Sequence, residues 1–400
     1  MSKGVYAPIG VNDRERFLYI CGHAFNFQPI AEKMSEQDWQ SCRGWYVDGE
    51  LVAILDWLEL PLRIGVGDRQ VRAIFLGGVA SPPEQRRRGY TEEILKAACL
   101  EAHEAGIHLC LLHPFKHSFY ARYGWAAAME QRVYSGELTA LRHFRWGEGR
   151  FLPMSAERIP ELQTIMLEAL AGRWGVVVRG PEQWQSVLPD AKLKRHGVIW
   201  QDSEGRARGY LSYSMEDRPQ AGRLLICHEL HACDPEARGQ LLAFLANHDS
   251  QASHFQVTLP SDLALNLLMR DPLQSEVKTW QMLRLLDVAG ALNDYAPPAE
   301  LSGSCVIELH DDWLTFNQGR YKLEASEGKL SCQLSDAPAD LALEVGRLAQ
   351  WLTRYVKPSQ AAALGLCKVH NSAALPFVDV LFSGPAPFNN DFFKRFRARA

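Results

Sequence analysis

A run of three arginines ends in a glycine at Gln85-Arg86-Arg87-Arg88-Gly89-Tyr90-Thr91. An apolar stretch precedes this turn and a helical pattern follows it, so the glycine stands at the N-terminus of a helix. The unpaired N–H groups and the positive dipole end of such a helix bind phosphate groups. Glycine lets the backbone approach an anion without a Cβ, and arginine adds charge and forked donors. We therefore predict a diphosphate site formed by Arg86, Arg87, Arg88, Gly89, Tyr90 and Thr91.

A tyrosine suited to acid catalysis lies farther along the chain, in the segment SFYARYGW at residues 118–125. The hydroxyl of Tyr120, with an ordinary pKa of about 10, keeps its proton at neutral pH and can donate it to a leaving group. The alternative is an aromatic side chain that only packs beside Phe119 and Tyr123. Tyr120 is therefore a candidate general acid.

The composition is that of an ordinary globular protein, with 400 residues, 47% of them hydrophobic and 22% charged, and a net charge of −4. This length predicts two or three domains, and the charge offers no global attraction to nucleic acid or to an anionic membrane. We expect neither a transmembrane helix nor a secretory signal, since no apolar run is suited to either. The nine cysteines form no C-x-x-C pair, which favours reduced thiols and a cytoplasmic location.

Two groups of potential metal ligands occur, and we expect neither to bind a metal. One group straddles a helix, a turn and a strand, so its members cannot share one face: His103, His108, His113 and His117. The other is a strand, Cys227-His228-Glu229-Leu230-His231-Ala232-Cys233. Its alternate residues share a face but stand roughly 6.6 Å apart, which would distort a zinc site.

Apolar segments before the basic turn predict strands. Residues 51–60 and 71–80 each have the composition of a buried strand. Turn residues at Val47-Asp48-Gly49-Glu50 and at Gly65-Val66-Gly67-Asp68 reverse the chain on either side of the first strand. The basic turn therefore follows directly on a strand.

A helix and a further strand follow the basic turn. The helix is predicted by apolar residues at helical spacing, Ile94, Leu95, Ala98 and Ala102, and it ends at Gly106. Residues 107–115 then predict a short strand that returns to the sheet. The order is a β–α–β crossover with the basic turn at the helix N-terminus.

Residues 223–260 repeat this order of strand, turn, helix and strand. Gly239 stands where Gly89 stands in the first unit. Glu236, however, replaces the arginine three residues before the glycine, and a glutamate would repel a diphosphate. We therefore predict that the second unit has lost the ligand.

The C-terminal part predicts a small α+β module. Residues 291–304 are rich in Pro, Ala, Ser and Asn and predict a linker. Residues 305–326 and 329–334 alternate as strands, and residues 339–356 predict a helix that ends before Pro358.

These motifs resemble a known family. Residues 78–97, GVASPPEQRRRGYTEEILKA, resemble motif A of the GNAT acetyltransferase superfamily, with Thr91 where glycine or alanine is usual. The segment SFYARYGW resembles the stretch that follows the fifth GNAT strand. Together with the degenerate second unit and MLRLLDVAGAL at residues 282–292, they resemble the enhanced intracellular survival (Eis) family.

The resemblance implies an α/β and α+β architecture of tandem GNAT domains followed by a sterol-carrier-protein-like domain. We expect a catalytic GNAT domain at residues 1–130, a degenerate GNAT-like domain at 131–290, and a sterol-carrier-protein-like domain with a tail at 291–400. Residues 352–382 could line a lipid cavity in that last domain, although an ordinary core is preferred. A homo-oligomer, such as a hexamer, is also implied.

The same resemblance implies acetyl-CoA as the cosubstrate. Its pantetheine side would lie along Val79 and Ala80, its pyrophosphate on residues 86–91, and Ser118 would contact it as well. Tyr120 would protonate the departing thiolate. The implied acceptor is a primary amine, either a small polycationic amine of the aminoglycoside kind or an exposed lysine.

The general base and one rival function stay open. Eis relatives use a C-terminal carboxylate, but here residues follow Phe393, so the base could be the Ala400 carboxylate, Asp391 or water. The rival function is a non-catalytic sensor of acyl-CoA, or a carrier of an apolar ligand, on the same scaffold. Release of free thiol in the presence of an amine distinguishes the enzyme from both.

Overall fold

The computed structural model describes residues 4–25, 34–64, 69–218 and 222–390. The predicted reversal at Gly65–Asp68 lies outside these residues, as does the tail from Asp391 to Ala400. The chain forms two units. Among the described residues, the first comprises those within 4–128, 280–384 and 389–390, and the second those within 129–279 and 385–388.

The described residues form eighteen strands and eleven α-helices. The strands are β1 (Val5–Pro8), β2 (Cys42–Val47), β3 (Glu50–Arg63), β4 (Gln70–Ala80), β5 (Leu109–Leu112), β6 (Ala126–Glu137), β7 (Arg150–Pro153), β8 (Val176–Val177), β9 (Arg195–Gln201), β10 (Ala207–Arg218), β11 (Gly222–Ala232), β12 (His254–Pro260), β13 (Gln274–Leu285), β14 (Gly303–His310), β15 (Gly319–Ser326), β16 (Lys329–Leu334), β17 (Leu341–Glu344) and β18 (Lys368–Val369). The helices are α1 (Arg14–Phe25), α2 (Glu36–Ser41), α3 (Tyr90–Glu104), α4 (His117–Ala121), α5 (Ile159–Ala169), α6 (Pro181–Gln185), α7 (Pro235–Ala246), α8 (Val288–Asn293), α9 (Val345–Leu352), α10 (Pro358–Ala363) and α11 (Leu375–Leu381).

The sheet of the first unit positions the basic turn. Its strands follow in the order β1-β2-β3-β4-β5, and Met282–Leu285 of β13 pairs with β5 on the far side. Neighbours are antiparallel except β4 and β5, which are parallel and joined through α3. The predicted crossover is confirmed, although its second strand is shorter than the predicted 107–115. The apolar face of α3 is buried as predicted, through Ile94, Leu95, Ala98, Cys99 and Ala102.

The second unit has the same crossover in a sheet ordered β6-β12-β11-β10-β9-β7. Strands β11 and β12 are parallel and are connected by α7. The helix packs with Leu241, Leu242 and Leu245 buried in the core of this unit. The repeated order of elements that the sequence predicts is therefore confirmed.

The C-terminal part of the first unit is a five-stranded sheet in the order β16-β15-β14-β17-β18. The predicted strands at 305–326 and 329–334 are present as β14, β15 and β16. A short hairpin joins β15 to β16, with Glu327 and Gly328 in the left-handed region. Strands β15 and β16 carry buried residues at alternate positions.

Two predicted elements of this part are wrong in part. Residues 291–304 do not form a linker throughout, because α8 begins at Val288 and buries Ala291 and Leu292. The side chain of Asp287 caps this helix by accepting a hydrogen bond from the Gly290 N–H at 2.9 Å. Gly303 and Ser304 already belong to β14.

The predicted helix over 339–356 is also wrong in part. Leu341–Glu344 form β17, which pairs in parallel with β14, and only Val345–Leu352 are helical. A central strand buries successive residues on both faces, so its apolar run resembles that of a buried helix. Pro358 does not follow a helix end here but begins α10, where its missing N–H costs nothing.

Candidate active site

A bulge at the end of β4 exposes the backbone there. Ile54 pairs with Ala80 and Asp56 with Gly77, so β4 has one residue more than β3 across this step. Gly78 takes a positive φ of 57°, which suits a bulge. The parallel pairing of β4 with β5 ends at Leu76 and Leu112. Within the described residues, the stretch 77–80 therefore has no strand beside it on the β5 side.

The turn after β4 ends in two left-handed residues. Arg87 has a φ of 64° and Gly89, the N-cap of α3, has a φ of 85°. A Cβ on Gly89 would meet no atom within 4 Å, so the backbone conformation, rather than crowding inside the protein, requires glycine here. The predicted helix start at Tyr90 is confirmed.

The start of α3 presents a row of unpaired donors. The first helical N–H groups with a partner are those of Glu92 and Glu93, which donate to the Gly89 carbonyl at 2.8 and 3.2 Å. In the part of the chain that the structure describes, the N–H groups of Arg87–Thr91 have no hydrogen-bond partner. No side chain caps this helix. Such a row at the positive end of a helix fits a diphosphate.

The three arginines surround this row on the solvent side. Arg86, Arg87 and Arg88 are exposed, and only Arg86 has a hydrogen bond among the described residues, from Nε to the Ser81 carbonyl at 3.3 Å. The Ser81 hydroxyl also lies 3.1 Å from the Thr91 hydroxyl, which ties the end of β4 to α3. Tyr90 and Thr91 are half-buried. The six predicted residues of the turn are therefore brought together at one helix end.

The residues predicted along the pantetheine side lie on separate elements. Val79 and Ala80 belong to the bulged end of β4, where Val79 is half-buried and Ala80 is buried. Ser118 is exposed in the first turn of α4. Because β4 and β5 part at Leu76 and Leu112, the segments that continue from both strands start at the same edge of the sheet.

Tyr120 is buried in an aromatic cluster with only 3% of its surface exposed. Its ring lies 5.6 Å from Phe115, 5.1 Å from Phe119 and 6.2 Å from Trp125 between centroids, in edge-to-face arrangements. Its hydroxyl has no hydrogen-bond partner among the described residues. Burial raises the pKa of Tyr120 well above its ordinary value, so the group keeps its proton at neutral pH.

A half-buried histidine and buried amide side chains meet at this edge without a signature in the sequence. His113 follows the last residue of β5, and the amide Nε2 of Gln281 lies 3.1 Å from its Nε2. The same amide nitrogen donates to the Oδ1 of Asn389 at 3.2 Å. Asn389 and Asn390 are both buried. The candidate bases Asp391 and Ala400 lie outside the described residues.

In the second unit, a side chain of the turn occupies the matching helix N-terminus. Asp234 caps α7 by accepting a hydrogen bond from the Ala237 N–H at 2.7 Å, and Pro235 supplies no N–H. Arg208 pairs with Asp234 at 3.0 Å and with Glu168 at 2.9 Å. A carboxylate already occupies the place of an incoming anion, which agrees with the predicted loss of the ligand.

Known protein families match both units. Two families described as an acetyltransferase (GNAT) domain match residues 6–128 and 175–285, and one described as a sterol carrier protein domain matches residues 288–390. An N-acetyltransferase Eis of Mycobacterium tuberculosis is 26% identical over 86% of this chain and 86% of its own. The chain is an Eis-like N-acetyltransferase of the GNAT superfamily.

Another relative and two solved structures are similar to this chain over most of its length. An uncharacterized N-acetyltransferase of Streptomyces griseus is 27% identical over 91% of this chain and 92% of its own. A GCN5-related N-acetyltransferase from Anabaena variabilis has the same fold, with a TM-score of 0.89 at 20% identity over 98% of this chain and all of its own. Eis1 from Mycobacterium abscessus superposes with a TM-score of 0.79 at 21% identity, over 98% and 100% of the two chains.

GNAT domains use acetyl-CoA as a cosubstrate, and an amine accepts the acetyl group. The residues of the first unit fit this cosubstrate, because the bulged end of β4 and the unpaired N–H groups of Arg87–Thr91 lie next to each other in the chain. No helix among the described residues is long and apolar enough to cross a membrane.

Proposed function

We propose that the first unit transfers an acetyl group from acetyl-CoA to a primary amine at the edge of the sheet where β4 and β5 part. The observation that carries this proposal is the row of unpaired N–H groups at Arg87–Thr91, beside three exposed guanidiniums. A diphosphate supplies the acceptors that these donors lack. The thioester arm would follow the bulge at Val79 and Ala80, and Ser118 would contact it from α4.

In this proposal the amine nitrogen attacks the thioester carbonyl carbon, and the carbon–sulfur bond then breaks. Tyr120 transfers its hydroxyl proton to the departing thiolate, while the amine loses a proton to a base that stays unassigned. The hydroxyl supports this role because it stays protonated and has no hydrogen-bond partner among the described residues. The Eis resemblance suggests polycationic amines of the aminoglycoside kind as acceptors, with exposed lysine side chains as the second choice.

The domain limits 1–130, 131–290 and 291–400 belong to this proposal. So do a homo-oligomer, of which a hexamer is one form, and a location in the cytoplasm. The nine scattered cysteines support the location, and the described ones have no disulfide partner.

Replacement of Tyr120 with phenylalanine tests the function directly. We expect Tyr120→Phe to lower kcat by roughly 10²-fold or more, because a general acid contributes about this much, while the Kd for CoA stays the same. Thiol release from acetyl-CoA with a panel of amines measures kcat, and calorimetry measures the Kd.

Tyr123→Phe is the matched control, since Tyr123 belongs to the same aromatic cluster and only its weak 3.4 Å bond to Glu92 is lost. An unchanged kcat for Tyr120→Phe removes this residue from the mechanism. Binding of CoA by the wild-type chain without thiol release on any amine would instead support the sensor of acyl-CoA.

A further inference from the structure

Gln281 is a fully buried amide on β13 that holds two distant segments together. Its Nε2 group donates to the His113 ring at 3.1 Å and to the Asn389 side chain at 3.2 Å. Its Oε1 atom is buried and has no partner among the described residues. A buried carbonyl without a donor destabilises a fold.

Two hydrogen bonds of His113 fit the neutral Nδ1–H tautomer. The Nδ1 atom lies 3.0 Å from the carbonyl oxygen of Trp280, which can only accept a hydrogen bond, so Nδ1 carries the hydrogen. The Nε2 atom of the neutral ring then has a lone pair, and this lone pair accepts the N–H of Gln281. The ring also packs edge-to-face on Trp280 at 4.7 Å.

In this arrangement the Nε2 lone pair of His113 accepts the N–H of Gln281, and the ring is held between Trp280 and Gln281. The place of His113 matters because it follows β5 directly, and α4 with Tyr120 begins four residues later.

We propose that Gln281 is a positioning residue for acetyl transfer, which fixes His113 as the neutral Nδ1–H tautomer and fastens Asn389 to the strand end that leads to Tyr120. This inference rests on the proposed function, because the proposed function assigns the reaction to that edge of the sheet. The cofactor turn at residues 86–91 is separate from the network of Gln281.

Two substitutions test the role of Gln281. Gln281→Met keeps the shape but removes the donor, and Gln281→Glu offers a carboxylate that converts His113 to an imidazolium. We expect kcat to fall on the order of 10-fold for both, the size expected when a positioned group shifts, with an unchanged KM for acetyl-CoA. The pH profile of kcat/KM gains a histidine-like ionisation in Gln281→Met, because the lone pair of His113 becomes free.

Gln240→Met is the matched control. Gln240 is also a buried amide with one donor and one acceptor bond, to the Arg145 carbonyl and from the Gly147 N–H, but it lies in the second unit. We expect it to lower stability without changing the pH profile.

Nuclear magnetic resonance of the intact wild-type chain with ring-labelled histidine measures the tautomer of His113 directly, without a Gln281 variant. The His113 signal, identified by its loss in His113→Phe, should have the shifts of the neutral Nδ1–H tautomer. An Nε2–H tautomer or an imidazolium at neutral pH overturns the proposal.

Kinetics separate this proposal from the proposed function. Suppose that Tyr120→Phe lowers kcat as expected, but Gln281→Met has the kcat and the pH profile of the wild type. That result would overturn only the role of Gln281. A chain that releases no thiol with any amine would overturn the proposed function and the positioning role with it.

Discussion

At the scale of single residues, the sequence predicts groups that act through their type and spacing. Arg86 and Gly89 are predicted in this way, because a glycine after arginines at a helix start suits a phosphate site. The role of Tyr120 is predicted from the family resemblance, and all three roles stay predictions. The contact of Gln281 cannot be predicted from the sequence, because Gln281 lies 168 residues from His113 and a single amide has no spacing pattern. The left-handed Arg87 is equally hidden, because its conformation is set by the turn rather than by its side chain.

Replacement of Gly89 with valine tests the cofactor turn. A β-branched residue is strongly disfavoured at a φ of 85°, and a left-handed conformation costs it roughly 1–2 kcal/mol or more. We expect the turn to change shape, so that the Kd for CoA rises about 10-fold or more. Calorimetry on the intact chain measures this change.

Gly205→Val is the matched control for this strain. Gly205 has a φ of 78° and is exposed, and a Cβ added to it would meet no atom within 4 Å, but it lies in a turn of the second unit. Its replacement should leave the affinity for CoA as it is. Equal CoA affinities of wild type and Gly89→Val would contradict the diphosphate site.

At the scale of elements, strong periodicity predicts well and short apolar runs do not. The helix α3 and the strands β3 and β4 are present nearly as predicted, because each has a long run of one pattern. The sequence predicts helix where β17 lies, since Leu341, Ala342 and Leu343 are apolar without a distinguishing period. Pairing with β14 makes this segment a strand. The residues of one segment alone do not show that it will pair with another.

A buried ion pair tests how the elements of the first unit depend on one another. Arg284 of β13 and Asp311 after β14 lie 2.6 Å apart and are almost wholly buried. Removal of one partner leaves an uncompensated charge, so Asp311→Ala should lower the free energy of unfolding by about 3–5 kcal/mol. Urea denaturation of the intact chain measures it.

The exposed pair of Glu308 with Arg320, 3.1 Å apart in the same sheet, provides the comparison. Glu308→Ala should cost less than about 1 kcal/mol, as surface pairs usually do. Similar costs for the two substitutions would show that the Arg284–Asp311 pair is not important for the stability of the first unit.

At the scale of the whole molecule, the order of the domains comes from resemblance and not from pattern. Composition predicts only two or three domains, and the repeat at residues 223–260 predicts two related units. The sterol-carrier-like part cannot be recognised from periodicity, because small α+β modules share no common pattern. Asp234, the residue that closes the second turn, is also easily overlooked, since any helix can begin with aspartate.

The pH dependence of unfolding tests a histidine that joins two parts of the first unit. His108 lies 2.9 Å from Asp294 and 4.0 Å from Asp287, and Arg69 pairs with Asp294 at 3.1 Å. The hydrogen bond to Asp294 raises the pKa of His108. Its stabilisation is therefore complete below the unfolded pKa of about 6.5, and is lost as the pH rises through the higher folded pKa.

We accordingly expect His108→Gln to destabilise the chain more at about pH 6 than at about pH 9. Thermal unfolding at both pH values measures the difference. His370→Gln, which removes an exposed histidine that has no ion pair in the described ranges, should show no such trend. A loss that is equal at the two pH values would mean that His108 acts only by packing on Gly290.

The exposed guanidinium row has a consequence for the speed of binding. Arg86, Arg87 and Arg88 have no ion-pair partner in the described ranges, so they attract a polyanion from a distance although the chain is acidic overall. Salt shortens the reach of this attraction to about 10 Å at 0.1 M. We therefore expect stopped-flow association with CoA to slow steeply as ionic strength rises, with dissociation changing far less. If the turn needs no change of conformation to bind CoA, the rate of diffusional encounter should limit the association rate.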